Sequence, residues 1–457
     1  MNRIPFLSET LANFALSTSF EAIPEKVRGW VKLLLLDAVG NAFASTSHDF
    51  AHRALAGLQG LDAGDYGVIG IPARLTLRDA VLMNGILVHG LDFDDTYLPG
   101  AAHLTASVVP TALALAARFN SSGKELLAAC VIGLEGGMRL AGAARGSFLK
   151  AGFHPTSLCG AFGSVLAASR LMQLSHAHTV MAQGIVLSSV SGNMQPTQEG
   201  VWAKRMHAGL MGSAALTAAA LAQQGFTGPF QVYEGKYGLF PCFLGQHADD
   251  ADLSVITHQL GSSWECARTS IKLFPACFQS HASMQAALEL RTEEAIDSNE
   301  IVSIRVRIPD IAVSLVCEPI AAKLKPNNSY AAQFSLPYAL ACCFARGRFG
   351  LDEIEGTAFS DPELIELAQK VSYEVDPSAD FPKFRSGEVI VELKNGKRLM
   401  RRKKVSPEEP ATEDAIIRKF MDNTRPVIAP ARAWEIAASL TSLETIKFTQ
   451  TLVAALT

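Results

Sequence analysis

Hydrophobic residues recur with helical spacing through most of the first 265 residues or so. Ser175 and Gly225 are a plausible helix N-cap and a plausible helix stop within this region. Glycines inside two of the predicted helices, such as Gly163 and Gly209, each cost about 1 kcal/mol relative to alanine and therefore predict close helix–helix contacts. The spacing predicts helices over 8–18, 24–46, 76–97, 104–118, 122–145, 159–174, 176–190 and 205–224.

The pattern changes near residue 266. Residues 301–308 alternate with a period of two, and residues 388–393 followed by Asn395-Gly396 predict a β-hairpin. Helical spacing returns in the last part of the chain. We therefore predict a mainly α protein with a large discontinuous all-helical domain and a smaller α+β lid domain. The predicted boundaries are 1–266 and 409–457 for the helical domain and 267–408 for the lid.

Composition narrows the class of protein. The chain has 457 residues, of which 49% are hydrophobic and 18% charged, and its net charge is −4. Scattered basic residues argue against a nucleic-acid partner, and the basic run at 397–404 is expected to decorate an exposed strand. No uninterrupted apolar run predicts a membrane span, the amino end has no signal-peptide pattern, and the eight cysteines lack metal-binding spacing. A cytoplasmic location is expected.

One segment that begins at His89 concentrates three carboxylates, a threonine hydroxyl and two imidazoles beside an apolar run. Burying such groups costs several kcal/mol each unless they have partners. If the preceding helix continues to residue 97, His89, Asp92 and Thr96 share one face. Pro99-Gly100 would then break the helix and return His103 toward that face. A solvated acidic surface is the alternative interpretation.

Three further clusters contain the same residue types. His154 precedes a helix rich in small residues, where it could bind an anion or cap the helix. Lys204 and His207 share one helical face, with a surface position as the alternative, and Lys272 and His281 open the α+β segment. Lysine binds carboxylates, and histidine and aspartate exchange protons near neutral pH. The combination suits proton transfer at a carbon next to a carboxylate in a di- or tricarboxylic acid.

Taken together, the clusters resemble the MmgE/PrpD family, which includes 2-methylcitrate dehydratase, cis-aconitate decarboxylase and iminodisuccinate epimerase. The resemblance extends over nearly the whole chain. It is carried by His89-Gly-Leu-Asp92-Phe-Asp94-Asp95-Thr96, Gly152-Phe-His154-Pro-Thr156, Lys204-Arg205-Met-His207-Ala-Gly209, Lys272-Leu-Phe-Pro275-Ala-Cys277 with His281, and Ala332-Gln-Phe-Ser335-Leu-Pro-Tyr338.

The resemblance implies a helical domain plus an α+β lid in a homodimer. It implies a pocket lined by Asp92, Thr96, His103, His154, Lys204 and His281, with His207 and Lys272 as further substrate-binding candidates. Two features differ from the decarboxylase branch. The loop before His103-Leu104 is one residue longer, and a lid tyrosine has no clear counterpart near Cys317-Glu318.

The leading hypothesis is a lyase, of the dehydratase or decarboxylase type, that needs no cofactor. Lys204 and His154 would anchor substrate carboxylates, and His103 would move the proton at carbon. Asp92 would orient His103, and Thr96 would donate a hydrogen bond to the substrate. The close alternative is an isomerase that epimerises an iminodisuccinate-like dicarboxylate with two proton-transfer groups.

Two other classes are less favoured. A metal-dependent terpenoid-type enzyme would need a third acid where Leu98 stands, so neither a metal nor another cofactor is expected. A non-catalytic binding protein is the remaining alternative. The expected partners are a small carboxylic-acid substrate and a second copy of the chain, with no nucleic acid and no membrane.

Overall fold

The structure, a computed structural model, describes residues 4–356, 358–379, 384–406 and 410–457. Internal contacts divide the chain into two compact units. The first, called here the helical unit, comprises Met1–Ile271 and Thr412–Thr457, and the second, the mixed unit, comprises Lys272–Ala411. The predicted fold class, a large discontinuous helical domain plus a smaller α+β domain, is confirmed.

The first part of the helical unit consists of helices and one short hairpin. The hairpin, β1 (Tyr66–Val68) with β2 (Ile71–Leu75), is antiparallel and was not predicted. The helices are α1 (Leu7–Ser17), α2 (Glu25–Ser45), α3 (Asp49–Gln59), α4 (Leu77–His89), α5 (Thr105–Arg118), α6 (Gly123–Ala143), α7 (Ser147–Lys150), α8 (Pro155–Leu171), α9 (His176–Leu187), α10 (Gln195–Glu199), α11 (Ala203–Gln223), α12 (Leu239–Leu244) and α13 (Ser254–Thr257).

The helices predicted in this part of the chain agree with the structure to within four residues at either end, with one exception. The helix predicted over 76–97 is wrong in its second half, because α4 ends at His89. Ser175 accepts a hydrogen bond from the His178 backbone as the N-cap of α9, and Gly225 follows α11 with the positive φ expected of a helix stop.

Glycines bring the central helices of this unit into close contact, as predicted. A Cβ atom added to Gly209 on α11 would lie 2.2 Å from the carbonyl oxygen of Leu82 on α4. One added to Gly163 on α8 would lie 2.5 Å from the carbonyl oxygen of Gly133 on α6. Side chains larger than hydrogen would therefore separate these helix pairs.

One central helix also meets the length and composition of a membrane span. Within the described ranges, α6 alone is long and apolar enough to cross a membrane. Nearly all of the most apolar stretch of α6 is buried inside the helical unit, as is usual for a core helix.

The mixed unit contains one four-stranded sheet covered by helices. Its helices are α14 (His281–Glu293), α15 (Asp310–Val316), α16 (Ile320–Leu324), α17 (Ser329–Gln333), α18 (Leu336–Arg346) and α19 (Pro362–Gln369). Its strands are β3 (Ile301–Ile308), β4 (Val371–Val375), β5 (Arg385–Leu393) and β6 (Arg398–Val405). The strand order is β4-β3-β5-β6, with β3 and β4 parallel and the other pairs antiparallel. The predicted strand over 301–308 and the predicted hairpin are confirmed.

Basic residues of the run at 397–404 make ion pairs within the mixed unit. Arg401 contacts Glu293, Lys403 lies 2.8 Å from Glu289, and Arg402 lies 2.6 Å from Asp376. Most of these charges are therefore balanced by neighbouring carboxylates.

After the mixed unit the chain returns to the helical unit through α20 (Glu413–Thr424), α21 (Pro430–Thr441) and α22 (Thr449–Leu456). Helix α20 packs on α2, where a Cβ atom on Gly40 would lie 3.0 Å from the Phe420 ring. The ammonium of Lys32 on α2 lies 2.9 Å from the carboxylate of Glu444, which follows α21. The last helices are thus anchored to the first ones.

Candidate active site

The polar segment at 89–103 is a loop between α4 and α5 rather than a continuation of α4. Asp92 has a φ of 51°, a left-handed conformation that a continuing helix cannot contain. The carboxylate of Asp94 turns back to the helix end, where its Oδ2 lies 2.7 Å from Nδ1 of His89. His89, Asp92 and Thr96 therefore do not share a helical face. Buried carboxylates need partners, and folding the loop back supplies them.

Backbone and side-chain hydrogen bonds hold this loop at both ends. Thr96 exchanges backbone hydrogen bonds of 2.7 and 2.9 Å with Ser270. Near the start of α5, the carboxylate of Asp95 accepts hydrogen bonds from the backbone amide and the hydroxyl of Thr105. A turn at 98–100 lets the amide of Tyr97 donate to the carbonyl of Ala102 at 2.8 Å, which returns the chain toward Thr96 as the Pro99-Gly100 signal predicted.

This turn brings His103 back to the loop. The imidazole Nδ1 of His103 lies 2.5 Å from the backbone carbonyl oxygen of Asp95 and 3.4 Å from the hydroxyl of Thr96. Because a carbonyl oxygen only accepts hydrogen bonds, Nδ1 of His103 carries the proton. Nε2 is then the atom that gains and loses a proton. The His103 backbone amide also donates to Thr156 Oγ1 at 3.0 Å.

Four imidazole rings cluster at this place. Ring centroids of His89 and His103 are 5.5 Å apart, those of His89 and His154 are 5.4 Å apart, and those of His154 and His207 are 5.4 Å apart. His89 at the end of α4 pairs with Asp94, and both side chains are fully buried. The cluster therefore joins α4, the loop, α8 and α11.

His154 and His207 form a neutral pair. Their Nδ1 atoms lie 3.2 Å apart, so one ring donates and the other accepts. Burial lowers the pKa of His154 well below its usual value, and Lys204 and the neighbouring histidines lower it further. Burial, with His89 and Lys204, lowers the pKa of His207 to about 4. Nε2 of His154 is buried and has no hydrogen-bond partner among the described residues.

Lys204 supplies a cation on the first turn of α11. Its ammonium lies 3.2 Å from Oδ2 of Asp92, and the two side chains are 14% and 19% exposed. Because the Lys204 charge also lowers the pKa of His207, the two side chains lie on the same side of α11, as predicted. The partial exposure leaves both charged groups accessible to a small ligand.

The amino ends of three long helices meet at the histidine cluster. Thr105 begins α5, His154 is the N-cap residue of α8, and Lys204 lies in the first turn of α11. His154 makes no side-chain capping bond. Helix amino ends carry a partial positive charge and favour anions. The arrangement of cation, neutral imidazoles and helix ends is suited to binding carboxylates.

Sequence reasoning missed a buried polar network beneath the loop. Lys419 on α20 donates to the carbonyl oxygen of Phe93 at 2.8 Å, and its ammonium lies 2.5 Å from Oδ1 of Asp37 on α2. Asn41 also donates to the Phe93 carbonyl at 3.3 Å, and Asn423 donates to Asn41 at 3.1 Å. The sequence shows Asp37 and Lys419 as charged residues within apolar helical patterns. Nothing in the sequence, however, indicates that α2 packs against α20.

Two buried carboxyl groups of this region have raised pKa values. Burial, together with the neighbouring Asp94, raises the pKa of Asp95 to about 8, while the hydrogen bonds from Thr105 oppose this shift. Burial also raises the pKa of Asp37, which the Lys419 ammonium opposes. Asp94 and Asp95 are thus buried and bonded to internal partners, whereas Asp92 is partly exposed beside Lys204.

Lys272 and His281 belong to the mixed unit. Lys272 is 3% exposed. His281, 2% exposed, begins α14, has Nε2 3.3 Å from the carbonyl oxygen of Ala276, and packs its ring against Phe274 and Phe278. The role of both residues in substrate binding stays a prediction.

Three side chains of the loop could together hold a metal ion. Asp92, Asp94 and His103 each offer one ligand atom, and these atoms lie within 4.8 Å of one another. Asp92 is already paired with Lys204, and Asp94 with His89. A cation at this place would have to share the carboxylates with these partners.

Known protein families and individual proteins match this chain along most of its length. Residues 9–251 match the MmgE/PrpD N-terminal domain, and residues 274–444 match the MmgE/PrpD C-terminal domain. The cis-aconitate decarboxylase of Homo sapiens is 29% identical over 381 residues, which cover 80% of this chain and 76% of the relative. That of Aspergillus terreus is 25% identical over 460 residues, covering 95% and 92%. The cis-aconitate decarboxylase-like protein oryM of Aspergillus oryzae is 26% identical over 461 residues, covering 95% and 94%.

Proposed function

The chain belongs to the MmgE/PrpD family, and from that premise we propose that it is a cofactor-independent lyase that decarboxylates or dehydrates a small di- or tricarboxylic acid. An unsaturated tricarboxylic acid of the cis-aconitate type is the first candidate substrate, because the relatives named above are called cis-aconitate decarboxylases or decarboxylase-like. The observation that carries the proposal is the pair of neutral imidazoles, His154 and His207, beside Lys204 at the amino ends of three helices.

Substrate carboxylates would bind to Lys204 and His154. The Lys204 ammonium would share its charge between Asp92 and the substrate. If Nδ1 of His207 donates to Nδ1 of His154, Nε2 of His154 carries a proton that no described residue accepts. That proton would be donated to a substrate carboxylate, and a neutral donor adds no charge to the buried site. Thr96 would contribute a further hydrogen bond.

His103 would carry out the proton transfer. For an unsaturated acid whose carboxylate is one carbon away from the double bond, the electrons of the breaking carbon–carboxylate bond form a new double bond and CO₂ leaves. The former double bond then takes a proton at the carbon next to another carboxylate. Nε2 of His103, after taking up a proton from solvent, would deliver it to this carbon, while Nδ1–H stays bound to the Asp95 carbonyl. In a dehydration the same nitrogen would instead accept a proton from that kind of carbon. The electrons of the C–H bond would form the double bond, and the hydroxyl group on the adjacent carbon would leave as water with a proton from solvent.

The geometry refines the role proposed for Asp92. Asp92 pairs with Lys204 at 3.2 Å. The Asp95 carbonyl, at 2.5 Å from Nδ1, supplies a backbone acceptor that orients His103. We therefore propose that Asp92 positions the Lys204 ammonium and that Asp95 orients His103 through its backbone. The proposal further includes binding by Lys272 and His281, a homodimeric assembly, a cytoplasmic location, and no nucleic-acid or membrane partner.

The epimerase alternative makes a separable prediction. Epimerisation needs proton exchange at a carbon with neither loss of CO₂ nor a new double bond. We would therefore incubate the full-length protein in D₂O with separate aconitate-, citrate-, succinate- and aspartate-like acids and follow each by NMR. The expected result is either release of CO₂ from at least one acid, with deuterium incorporated next to a carboxylate, or loss of water from at least one acid.

Matched variants test the assigned residues. His103→Gln and Lys204→Met should each lower turnover at least a hundredfold, because one removes the proton carrier and the other the carboxylate anchor. The controls are His52→Gln and Lys26→Met, whose side chains are exposed on α3 and α2. Exchange without CO₂ or water loss would favour the epimerase. Unchanged turnover in His103→Gln would refute the proposed proton carrier.

A further inference from the structure

The backbone carbonyl of Phe93 lies at the centre of the missed polar network, between Asp92 and Asp94 of the loop. Lys419 reaches it at 2.8 Å from α20 and Asn41 at 3.3 Å from α2. The Lys419 ammonium also lies 3.6 Å from the centroid of the Phe93 ring. Two donors and a ring contact from two helices therefore hold a single loop residue.

The network is fully internal. Lys419 is 7% exposed, Asp37 3%, and Asn41 0%. Asn41 donates to Oδ2 of Asp37 at 3.1 Å, while Oδ1 of Asp37 receives Lys419. A buried ion pair of this kind adds little net stability compared with apolar residues of similar volume. Its geometry, in contrast, defines where the Phe93 carbonyl lies.

The loop connects this carbonyl to both proposed chemical groups. Asp92, one residue before Phe93, adopts the left-handed conformation in which its carboxylate meets Lys204. Asp95, two residues after Phe93, presents the carbonyl that fixes the protonated nitrogen of His103. A shift of Phe93 would therefore change the position of Asp92 and the tautomer of His103 together.

We propose that Lys419, paired with Asp37, is a positioning residue of the active site, which holds the Phe93 carbonyl so that Asp92 and His103 keep their working geometry. The catalytic part of this inference rests on the proposed lyase activity, whereas the structural part does not. Lys419 follows the mixed unit in the chain, so the helical unit would complete its loop only after the chain has returned.

The decisive variant removes both charges at once. Asp37→Leu with Lys419→Met leaves no unpaired buried charge, and it removes the main donor to the Phe93 carbonyl. We expect kcat to fall ten- to a hundredfold, because misplacing a proton-transfer group by about 1 Å can cost a hundredfold, and KM to rise by a smaller factor through the Asp92–Lys204 pair. Lys419→Arg, which keeps a cationic donor, should retain more of kcat than the double variant.

The matched control is Lys32→Met with Glu444→Leu. This pair also joins α2 to the carboxyl-terminal helices, at 2.9 Å, but it contacts no residue of the loop in the described structure. A purely structural role of Lys419 predicts that both double variants behave alike. The positioning role predicts normal kcat for the control only.

A second measurement is independent of activity. ¹⁵N NMR of histidine-labelled protein reports the tautomer of each ring, and His103→Gln assigns the signal. The wild type should show His103 protonated at Nδ1, and the Asp37/Lys419 double variant should show a mixture of tautomers. If the double variant does not fold, Asn41→Ala, which removes the second donor to Phe93, is measured instead and should show the smaller shift in the same direction.

The two measurements separate the possible failures. A wild type without turnover on any acid would overturn the proposed function, while the tautomer measurement would still judge the positioning role. Unchanged His103 tautomer and unchanged kcat in the folded Asp37/Lys419 variant would overturn the inference. A mixed tautomer with lowered kcat, absent from the Lys32/Glu444 control, would establish it.

Discussion

Replacing Asp95 by asparagine should change the pH dependence of stability of the helical unit. The side chain is fully buried, and burial together with Asp94 raises its pKa to about 8. In the unfolded chain an aspartate titrates near 3.9. Between these values the folded protein keeps the proton that the unfolded chain has lost. The contribution of Asp95 to the stability of the wild type must therefore fall as the pH rises from about 4 to about 8.

The size of the effect follows from the two pKa values. Between the two pKa values, the free energy of unfolding changes by about 1.4 kcal/mol per pH unit for a single group. From pH 5 to pH 8 the wild type should lose about 4 kcal/mol that Asp95→Asn does not lose. The asparagine costs some stability at all pH values, because its Nδ2–H group needs an acceptor, but that cost does not titrate.

The assay is denaturant unfolding at half-unit steps from pH 5 to pH 8. All four tryptophans, Trp30, Trp202, Trp264 and Trp434, lie in the helical unit, so their fluorescence reports unfolding of that unit. The quantity of interest is the difference in unfolding free energy between variant and wild type at each pH. An exposed control, Asp62→Asn, should run parallel to the wild type. Parallel curves for Asp95→Asn as well would refute a protonated Asp95 in the folded state.

Two other predictions use the same fluorescence assay. The pKa of His207 is lowered to about 4 from about 6.5, so the unfolded state binds more protons between these pH values. On acidification from pH 7 to pH 4, the free energy of unfolding of the wild type should therefore fall by about 3 kcal/mol more than that of His207→Gln. Equal losses would contradict a buried neutral His207. Gly85→Ala should destabilise the helical unit by about 1–3 kcal/mol and lower turnover, because its Cβ atom would lie 2.3 Å from Cα of Gly209 and push α11 away from α4. Gly57→Ala on α3, where nothing lies within 4 Å, should instead stabilise by about 0.5–1 kcal/mol, and a similar loss in both variants would argue against close packing at Gly85.

The buried carboxyl groups of the loop region have close partners. Asp94 pairs with His89, and Asp37 pairs with Lys419. The pKa of Asp95, raised to about 8, keeps its carboxyl group protonated at neutral pH, so Asp95 adds no negative charge to this buried region. Lys204, with Asp92 as its partly exposed partner, is the cation that we propose binds the substrate.

Local patterns were sufficient for most elements of the fold. Helical spacing, the Ser175 N-cap and the Gly225 stop predicted the main helices, and strand alternation with Asn395-Gly396 predicted the hairpin of β5 and β6. These signals act within a few residues, so they can be read without knowing the neighbours in space. The clusters around His103, His154 and Lys204 were also visible, because polar groups in apolar surroundings are costly.

The sequence by itself therefore determined the fold class, the main elements and the residue types available for chemistry. Tertiary structure decided where α4 ends, since the bond from His89 to Asp94 and the left-handed Asp92 override the helical pattern. It also decided which nitrogen of His103 is protonated and which lysine lies beneath the loop. Such pairings join residues hundreds of positions apart, as Asp37 and Lys419 show, and only packing brings them within hydrogen-bonding distance.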